Sequence, residues 1–310
     1  MPELGSYRAC GKAIIMGEHA VVYGVPALAM PVPLDLQVTV SNGLRKGPVL
    51  SAPAWNVKVR LGDRRPATRQ LEAALARVYE LNPGAPRELM LEIASRIPRS
   101  AGLGSSAALS VALVRTLAGV SRKRLTRNEE IRQAMEIERV FHGNPSGVDH
   151  SVVALEKAIL FRKGARAVTP LKLGCNFKFV VATVGQHGGT VHRVQALAER
   201  RQRLPEAYAE LFAFIAKLVR RATRALAEGD AQALGTLLDL NQGALNALGV
   251  SSPELEKAID IARKAGALGA KLSGAGGGGA MIALCDRNVN KVVRALSSAG
   301  CPAFISTLYA

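Results

Sequence analysis

The sequence predicts an α+β protein of two domains, and three observations lead to this fold class. The chain has 310 residues, which is enough for two domains of ordinary size. Its first half contains a strand, a loop rich in glycine and serine, and a buried helix in succession. Its second half interleaves strands with helices. Because the pattern changes around Lys172–Asn176, we predict an N-terminal mixed α/β domain over residues 1–174 and a C-terminal α+β domain over residues 175–310.

Alternating apolar residues and turn residues define the elements of the first half. Alternation predicts strands over Ser6–Met16, Leu34–Val40, Trp55–Leu61 and Glu88–Arg96. Apolar residues at helical spacing predict helices over Thr68–Leu81, Ser106–Gly119 and Thr126–Phe141. The last helix begins at a candidate capping box, with Thr126 as the cap and Glu129 three residues on.

The second half is predicted in the same way, with longer helices. The predicted strands are Phe177–Thr183, Ala267–Leu272, Ala280–Leu284 and Ala303–Leu308. The predicted helices are His192–Glu228, Asp230–Leu248, Pro253–Ala265 and Asn290–Ser298. Pro205 breaks the first of these helices, whereas Pro253 suits the start of its own helix, where the missing N–H is not needed.

The formal net charge of +17 has three interpretations: nucleic-acid binding, attraction of phosphorylated ligands, or the arginine-rich surface of a heat-adapted protein. Aromatic residues make up only 4% of the chain, and no basic run is interleaved with them. Platforms on which single-stranded nucleic acid could stack are therefore not evident, and we do not expect nucleic acid as a partner.

The cellular compartment is indicated by the four cysteines, the absence of long apolar runs and the N-terminal residues. The cysteines have no paired spacing, which indicates reduced thiols and neither a zinc site nor a disulfide framework. No apolar run reaches membrane-spanning length, and the first residues lack the pattern of a signal peptide. We therefore expect a cytoplasmic protein without a membrane partner.

Two glycine-rich loops are candidate ligand sites. Between the strand over Glu88–Arg96 and the following helix, Gly102 and Gly104 would let the backbone approach an anion at the helix N-terminus. The alternative is a serine-capped helix after a glycine turn. The run Gly274–Gly279 indicates close approach of the backbone to a ligand or to another loop, and the alternative there is a flexible linker.

Individual polar residues near these loops have ordinary interpretations when taken alone. Lys12 lies in a strand, where a lysine is most often an edge residue or extends its amine to water. Glu18 and His19 could form a surface turn, and Asp149 could cap a helix after the turn at Asn144–Gly147.

Three segments, in this order and spacing, resemble the motifs of the GHMP kinases. They are KAIIMGEHAVVYG over Lys12–Gly24, PRSAGLGSSAA over Pro98–Ala108 and KLSGAGGGG over Lys271–Gly279. Ala20–Gly24 and Glu138–Asp149 are similar to the branch of the family that phosphorylates mevalonate. The resemblance implies the two-domain GHMP kinase fold, with a phosphate-binding loop in the N-terminal domain and a ferredoxin-like C-terminal domain.

The resemblance also implies a role for each motif residue. Asp149 would be the catalytic acid/base at the C5 hydroxyl of mevalonate, and Lys12 beside it would favour the alkoxide as it forms. Glu138 and Ser106 would hold Mg²⁺ between the β- and γ-phosphates of ATP. The residues that would wrap the triphosphate are Pro98, Ser100, Ala101, Gly102, Leu103, Gly104, Ser105, Ser106 and Ala107. The residues that would bind the substrate are Lys12, Glu18, His19, Asp149, Thr190, Gly274 and Ala275.

The implied function is ATP-dependent phosphorylation of mevalonate to 5-phosphomevalonate in isoprenoid synthesis, with Mg²⁺ as cofactor and ATP as co-substrate. The sequence contains neither a Walker-type phosphate loop nor the protein-kinase motifs, and the glycine loop lacks the third glycine of a Rossmann fingerprint. A related kinase acting on phosphomevalonate or a sugar remains an alternative, and an RNA-binding protein is a more distant one. The oligomeric state is left open, with a homodimer among the options.

Overall fold

The computed structural model describes residues 3–43, 47–63, 65–165, 168–185 and 190–310. These residues form two compact units. The first unit comprises the described parts of residues 1–11, 34–98 and 104–156, and the second comprises those of 12–33, 99–103 and 157–310. The units interleave along the chain, so the division at residues 174 and 175 remains a prediction about sequence segments.

The described residues of the first unit form a sheet and four α-helices. Strands β1 (Glu3–Met16) and β2 (Ala27–Asn42) pair with each other, and each contributes residues to both units. The other strands here are β3 (Val49–Ala52), β4 (Val57–Arg60) and β5 (Leu89–Ser95). Their order is β4-β3-β5-β2, in which only the β3–β5 pair is parallel. Alternate residues of β5 are buried, as the sequence predicts for a strand with one face in the core.

Helix α2 (Ser105–Val120) lies at the centre of the first unit, because its alanine, leucine and valine residues bury almost every side of it. It packs against α1 (Arg69–Leu81), α3 (Arg127–His142) and α4 (Val148–Leu155). The predicted capping box is confirmed at the start of α3, where the Glu129 N–H donates to Thr126 Oγ1 at 3.3 Å and the Thr126 N–H donates to Glu129 Oε2 at 2.8 Å.

The sequence did not predict α4, and the structure changes the interpretation of Asp149. The N-cap of this helix is Gly147, which adopts a left-handed conformation with φ 101°. Asp149 lies in the first helical turn instead of at the cap. The interpretation of Asp149 as a helix cap is therefore wrong, because a glycine reaches the left-handed conformation without strain and begins the helix two residues earlier.

The second unit contains two groups of paired strands. The first residues of β2 pair with β6 (Ile159–Phe161), which pairs with β7 (Thr169–Pro170). A separate antiparallel sheet has the order β11-β8-β10-β9. Its strands are β8 (Phe177–Val184), β9 (Gly269–Ser273), β10 (Gly279–Cys285) and β11 (Ala303–Leu308). In chain order this is the 4-1-3-2 arrangement of a ferredoxin-like sheet, as predicted.

Helices complete the second unit. They are α5 (Thr190–Arg203), α6 (Pro205–Glu228), α7 (Ala231–Ala247), α8 (Pro253–Lys264) and α9 (Val289–Ser298). The break at Pro205 is confirmed, because this proline occupies the first turn of α6. Helices α7, α8 and α9 pack on the four-stranded sheet, and α6 packs on α7. Among the described residues, no helix combines the length and the apolar character that crossing a membrane requires.

Candidate functional site

Within the second unit, the three motif segments meet at the end of β1. The Lys12 N–H donates to the carbonyl of Leu103, in the glycine-serine loop, at 2.9 Å. The Ser273 hydroxyl, at the end of β9, accepts from the Ile14 N–H at 2.8 Å and donates to the Ile14 carbonyl at 3.0 Å. Lys12 is 3% exposed, so the alternative of a side chain that extends its amine to water is wrong. The fold therefore joins segments that lie far apart in the sequence.

His19 is held in an uncommon backbone conformation beside the third motif. Its φ is 59° and its ψ is −50°, a region that non-glycine residues rarely occupy. Its Nε2 lies 3.1 Å from the carbonyl oxygen of Ala275, and because a carbonyl can only accept, Nε2 carries the proton. Burial lowers the pKa of His19 to about 4, although its hydrogen bond to Ala275 opposes this effect. At neutral pH the imidazole is therefore neutral, with its lone pair on Nδ1.

Glu18 forms a fully buried ion pair with Lys271 on β9. Both side chains are inaccessible to solvent, and the Lys271 ammonium also donates to the Leu272 carbonyl. The second carboxylate oxygen of Glu18 is buried and makes no hydrogen bond within the described chain. Burial raises the pKa of Glu18, an effect that Lys271 opposes, and burial lowers the pKa of Lys271. Glu18 is thus a core residue in this structure, and the alternative of a surface turn is wrong for it.

The glycine run after β9 allows two close approaches of the backbone. Gly276 has φ 77°, and a Cβ at this position would lie 1.9 Å from the carbonyl oxygen of Val250. Gly277 donates its N–H to the same carbonyl at 2.9 Å and accepts from the Arg193 guanidinium at 2.8 Å. The expected approach to another loop is confirmed, and the linker alternative is wrong. Gly274, with φ 93°, is also buried, and its carbonyl precedes Ala275.

The phosphate-loop residues have both buried and exposed members. Ala101, Leu103 and Ala107 are buried, whereas Gly102 is exposed with φ 74°. The remaining residues of the predicted loop are exposed Pro98 and Ser100, buried Gly104, and half-buried Ser105 and Ser106.

Helix α2 begins without a side-chain cap. Its N-cap is Gly104, which has φ 80°, so the alternative of a serine cap is wrong. The Ala108 N–H donates to the Gly104 carbonyl at 2.8 Å, and the N–H groups before it at the helix start therefore lie outside the helical ladder. Such N–H groups, together with the positive end of the helix dipole, attract phosphate.

In the first unit, Ser106 in the first turn of α2 contacts Glu138 on α3. The Ser106 Oγ lies 3.4 Å from Glu138 Oε2, and the Ser110 hydroxyl donates to Glu138 Oε1 at 3.2 Å. His142, one turn after Glu138, places its Nε2 3.0 Å from Ser106 Oγ. Glu138 is 1% exposed, so these polar groups stabilise a carboxylate that is almost withdrawn from water.

This cluster matches the groups that Mg²⁺ uses when it binds together with a nucleotide. In such sites Mg²⁺ takes one or two protein carboxylates together with substrate phosphates and water, so a dedicated cage of protein ligands is not needed. Glu138 supplies the carboxylate and Ser106 supplies a hydroxyl oxygen at the phosphate-attracting end of α2. Within the described chain, no three His, Cys, Asp or Glu side chains cluster as a metal cage would require. The carboxylate and hydroxyl present fit a cation that binds together with phosphate.

The predicted residues divide between the two units. Lys12 belongs to the second unit, as do Glu18, His19 and Ala275. Asp149 belongs to the first unit, half-buried in the first turn of α4, which packs on α2 and α3. Thr190 begins α5, and its side chain lies outside the described residues.

Sequence reasoning missed three residues that contact the predicted ones. Ser110 follows Ser106 by four positions on α2, and His142 follows Glu138 by four on α3. Helical spacing could have identified both, because residues four apart lie on the same face. Lys271 was noted only as the first letter of a motif, and its signal was a charged residue in an otherwise apolar strand.

Comparisons with known proteins identify the family of this chain. Family models match two parts of the chain: the GHMP kinases N terminal domain over residues 68–157 and the GHMP kinases C terminal domain over residues 222–302. The mevalonate kinase of Methanothermobacter thermautotrophicus is 33% identical over 293 residues, covering 94% of each chain. That of Aeropyrum pernix is 34% identical over 307 residues, covering 94% of this chain and 93% of its own.

A solved structure shares the fold over almost the full length. The crystal structure of L. major mevalonate kinase in complex with R-mevalonate has a TM-score of 0.83 and 27% identity, covering 98% of this chain and 96% of that chain. The similarity therefore covers both family domains in a single chain. From the two matched domains and the relatives above 30% identity, the chain belongs to the GHMP kinase family, within its mevalonate kinase branch.

Proposed function

We propose that this protein transfers the γ-phosphoryl group of ATP to the C5 hydroxyl of mevalonate, giving 5-phosphomevalonate and ADP. The observation that carries the proposal is the buried Glu138 carboxylate, which Ser106 contacts at the uncapped start of α2. A carboxylate and a hydroxyl of the kinds that bind divalent cations thus lie beside a helix end that attracts phosphate, which supports the proposal. The relatives at 33% and 34% identity are mevalonate kinases, which favours mevalonate over the substrates of the sister kinases.

The glycine-serine loop and the first turn of α2 bind the triphosphate of ATP in this proposal. Backbone N–H groups hold the phosphate oxygens, and the helix N-terminus contributes about half a positive charge. The residues assigned to triphosphate binding are Pro98, Ser100, Ala101, Gly102, Leu103, Gly104, Ser105, Ser106 and Ala107. Pro98 has no N–H to donate. Apart from Pro98 and Leu103, these residues are glycine, alanine or serine, whose small or absent side chains favour close approach of the backbone to phosphate.

Glu138 and Ser106 are the residues that would hold Mg²⁺. When bound, Mg²⁺ neutralises charge on the β- and γ-phosphate oxygens. The protein's own contribution is a carboxylate whose Oε1 accepts from the Ser110 hydroxyl at 3.2 Å, while its Oε2 lies 3.4 Å from Ser106 Oγ. A carboxylate fixed in this way is already oriented before the nucleotide binds.

Asp149 and Lys12 act on the reacting hydroxyl. As the C5 oxygen forms its bond to the γ-phosphorus, the bond from that phosphorus to the oxygen bridging to the β-phosphate breaks, and ADP leaves with the electron pair. The proton of the C5 hydroxyl passes to the Asp149 carboxylate. The Lys12 ammonium stabilises the negative charge that develops on the oxygen.

Mevalonate binding is assigned to residues at the end of β1 and after β9. His19 supplies a neutral imidazole, and because Ala275 fixes the proton on Nε2, its Nδ1 can accept from a substrate hydroxyl. Glu18 is buried in the core and contributes to mevalonate binding indirectly, through its ion pair with Lys271. The other residues assigned to this role are Lys12, Asp149, Thr190, Gly274 and Ala275.

The test is substrate profiling of the purified protein with Mg·ATP. We expect ADP formation with mevalonate and little with phosphomevalonate, galactose or homoserine at equal concentration, and ³¹P NMR should identify the product as a C5 phosphate monoester. Turnover of another alcohol without turnover of mevalonate would refute the proposal. The same preparation should show no salt-sensitive RNA binding, which the RNA-binding alternative requires.

The compartment and the assembly remain predictions. We propose that the enzyme acts in the cytoplasm, which the four free cysteines support. A homodimer is the assembly to test, by light scattering of the purified protein.

A further inference from the structure

His142 contacts both of the residues to which metal binding is assigned. It lies at the end of α3, one turn after Glu138, and its side chain is 37% exposed. Its Nε2 is 3.0 Å from Ser106 Oγ and 3.8 Å from Glu138 Oε2. No motif assignment gave this histidine a role.

The Ser106 hydroxyl has one proton and contacts two groups that can accept it. These are Glu138 Oε2 at 3.4 Å and His142 Nε2 at 3.0 Å. A hydroxyl that ligates a cation must direct a lone pair toward the cation and its proton elsewhere. If that proton went to Glu138, it would occupy the carboxylate oxygen that a metal needs.

Ser110 contacts the oxygen of Glu138 that lies farther from the start of α2. Its buried hydroxyl donates to Oε1 at 3.2 Å, so Oε1 already has a donor from the core side. Oε2 is the oxygen that lies near Ser106 and His142. The two oxygens that lie together at the start of α2 are therefore Glu138 Oε2 and Ser106 Oγ.

We propose that His142 is a positioning residue that accepts the Ser106 hydroxyl proton in a hydrogen bond, leaving lone pairs on Ser106 Oγ and Glu138 Oε2 for a divalent cation. This inference rests on the proposed function, because it assumes that the cation binds at these two residues with the nucleotide. It requires the imidazole tautomer with hydrogen on Nδ1 and the acceptor on Nε2. Removing this acceptor turns the Ser106 hydroxyl toward Glu138 and weakens metal binding.

Two substitutions distinguish the effect of the hydrogen-bond acceptor of His142 from the effect of its side-chain volume. His142→Gln retains a side-chain oxygen near the position of Nε2 that can accept from Ser106, whereas His142→Phe retains a planar ring without an acceptor. Arg139→Ala is the matched control, since Arg139 lies one turn earlier on α3, is 53% exposed and pairs with Glu136 outside the cluster.

The measurement is the affinity of Mn²⁺ for the enzyme–ADP complex, followed by electron paramagnetic resonance without turnover. We expect His142→Phe to weaken Mn²⁺ binding about tenfold, the lower end of the effect of losing a group that orients a metal ligand. His142→Gln and Arg139→Ala should stay within about twofold of the wild type. Because His142 acts through Ser106, adding His142→Phe to Ser106→Ala should cause little further loss.

Each contrary result has a distinct meaning. Wild-type Mn²⁺ affinity in His142→Phe overturns the positioning role, and so does a loss in the double variant equal to the product of the two single losses. An unchanged Mn²⁺ affinity in Glu138→Gln overturns the metal site of the proposed function itself, independently of His142. Enzyme–ADP affinity measured without metal should be the same in His142→Phe, His142→Gln, Arg139→Ala and the wild type, and a loss in His142→Phe would contradict a role confined to the cation.

Discussion

Replacing Lys271 by methionine tests the buried pair that joins β9 to the segment after β1. The substitution keeps the length of the side chain and removes its charge, which leaves the Glu18 carboxylate in a site with no solvent access. A buried charge without its partner is strongly destabilising, because the core cannot replace the lost hydration. We therefore expect the variant to fold with a reduced free energy of unfolding.

The size of the effect follows from the protonation of Glu18. The lowest-energy response of the isolated carboxylate is to bind a proton, which at pH 7 costs about 1.4 kcal/mol for each pH unit above its ordinary pKa of 4.5. Over the interval from pH 4.5 to pH 7 this protonation costs about 3.4 kcal/mol. That value is near the lower end of the range of about 3–5 kcal/mol for breaking a buried pair. We expect Lys271→Met to lower the free energy of unfolding by about 3 kcal/mol at pH 7.

The sign of the pH dependence distinguishes this cause from a packing defect. In the variant the folded-state pKa of Glu18 lies above its unfolded value, so the folded state binds the extra proton and stability falls as pH rises. Urea unfolding should show the deficit shrinking by about 2.7 kcal/mol between pH 7 and pH 5. Glu18→Gln/Lys271→Met should recover most of the loss at pH 7, because neither charge remains buried.

Lys264→Met is the matched control, since this lysine forms an exposed pair with Asp260 at 2.7 Å. The free energy of unfolding of Lys264→Met should fall by less than about 0.5 kcal/mol. A deficit in Lys271→Met that does not change with pH, or a double variant as unstable as the single one, would exclude the unpaired Glu18 carboxylate as the cause.

Two further predictions concern a glycine and a buried histidine. Gly276→Ala should lower the free energy of unfolding by at least about 2 kcal/mol in urea, because its Cβ would lie 1.9 Å from a carbonyl oxygen at φ 77°. Gly243→Ala, within α7 and with open space around its Cβ, should be neutral or stabilising, and equal losses would contradict this account. Burial lowers the pKa of His150 to about 4 from 6.5, so its unfolded state binds the proton first and stability is lost as pH falls from 6.5 toward 4, by about 3 kcal/mol. His150→Asn should flatten this part of the stability–pH profile, and an unchanged slope would exclude His150 as the cause.

Most of the regular structure could be predicted because its signals are local. The capping box at Thr126 and Glu129, the proline at the start of α6 and the alternation in β5 each depend on residues within one or two turns. The short elements were not predicted, because a local pattern needs more residues than they contain. Strands β3, β6 and β7 have two to four residues each, too few to establish a period.

The site was predictable as a set of residues and not as a set of contacts. The motifs identified Glu18, but its partner Lys271 lies 253 positions away, and only the placement of β9 beside the end of β1 brings them together. His142 and Ser106 are 36 positions apart on two helices whose packing the sequence does not encode locally. The glycine run suggested close approach, yet only the fold identifies Val250 and Arg193 as its neighbours.

The proposed reaction requires Asp149 to accept the proton of the C5 hydroxyl, and the turnover of Asp149→Asn measures this requirement. The amide keeps the shape of the side chain and cannot act as the base. With nucleotide affinity measured on the same preparation, we expect a kcat at least about 100-fold below the wild type and an ADP affinity within about twofold of it. A kcat within about threefold of the wild type would show that Asp149 is not the base.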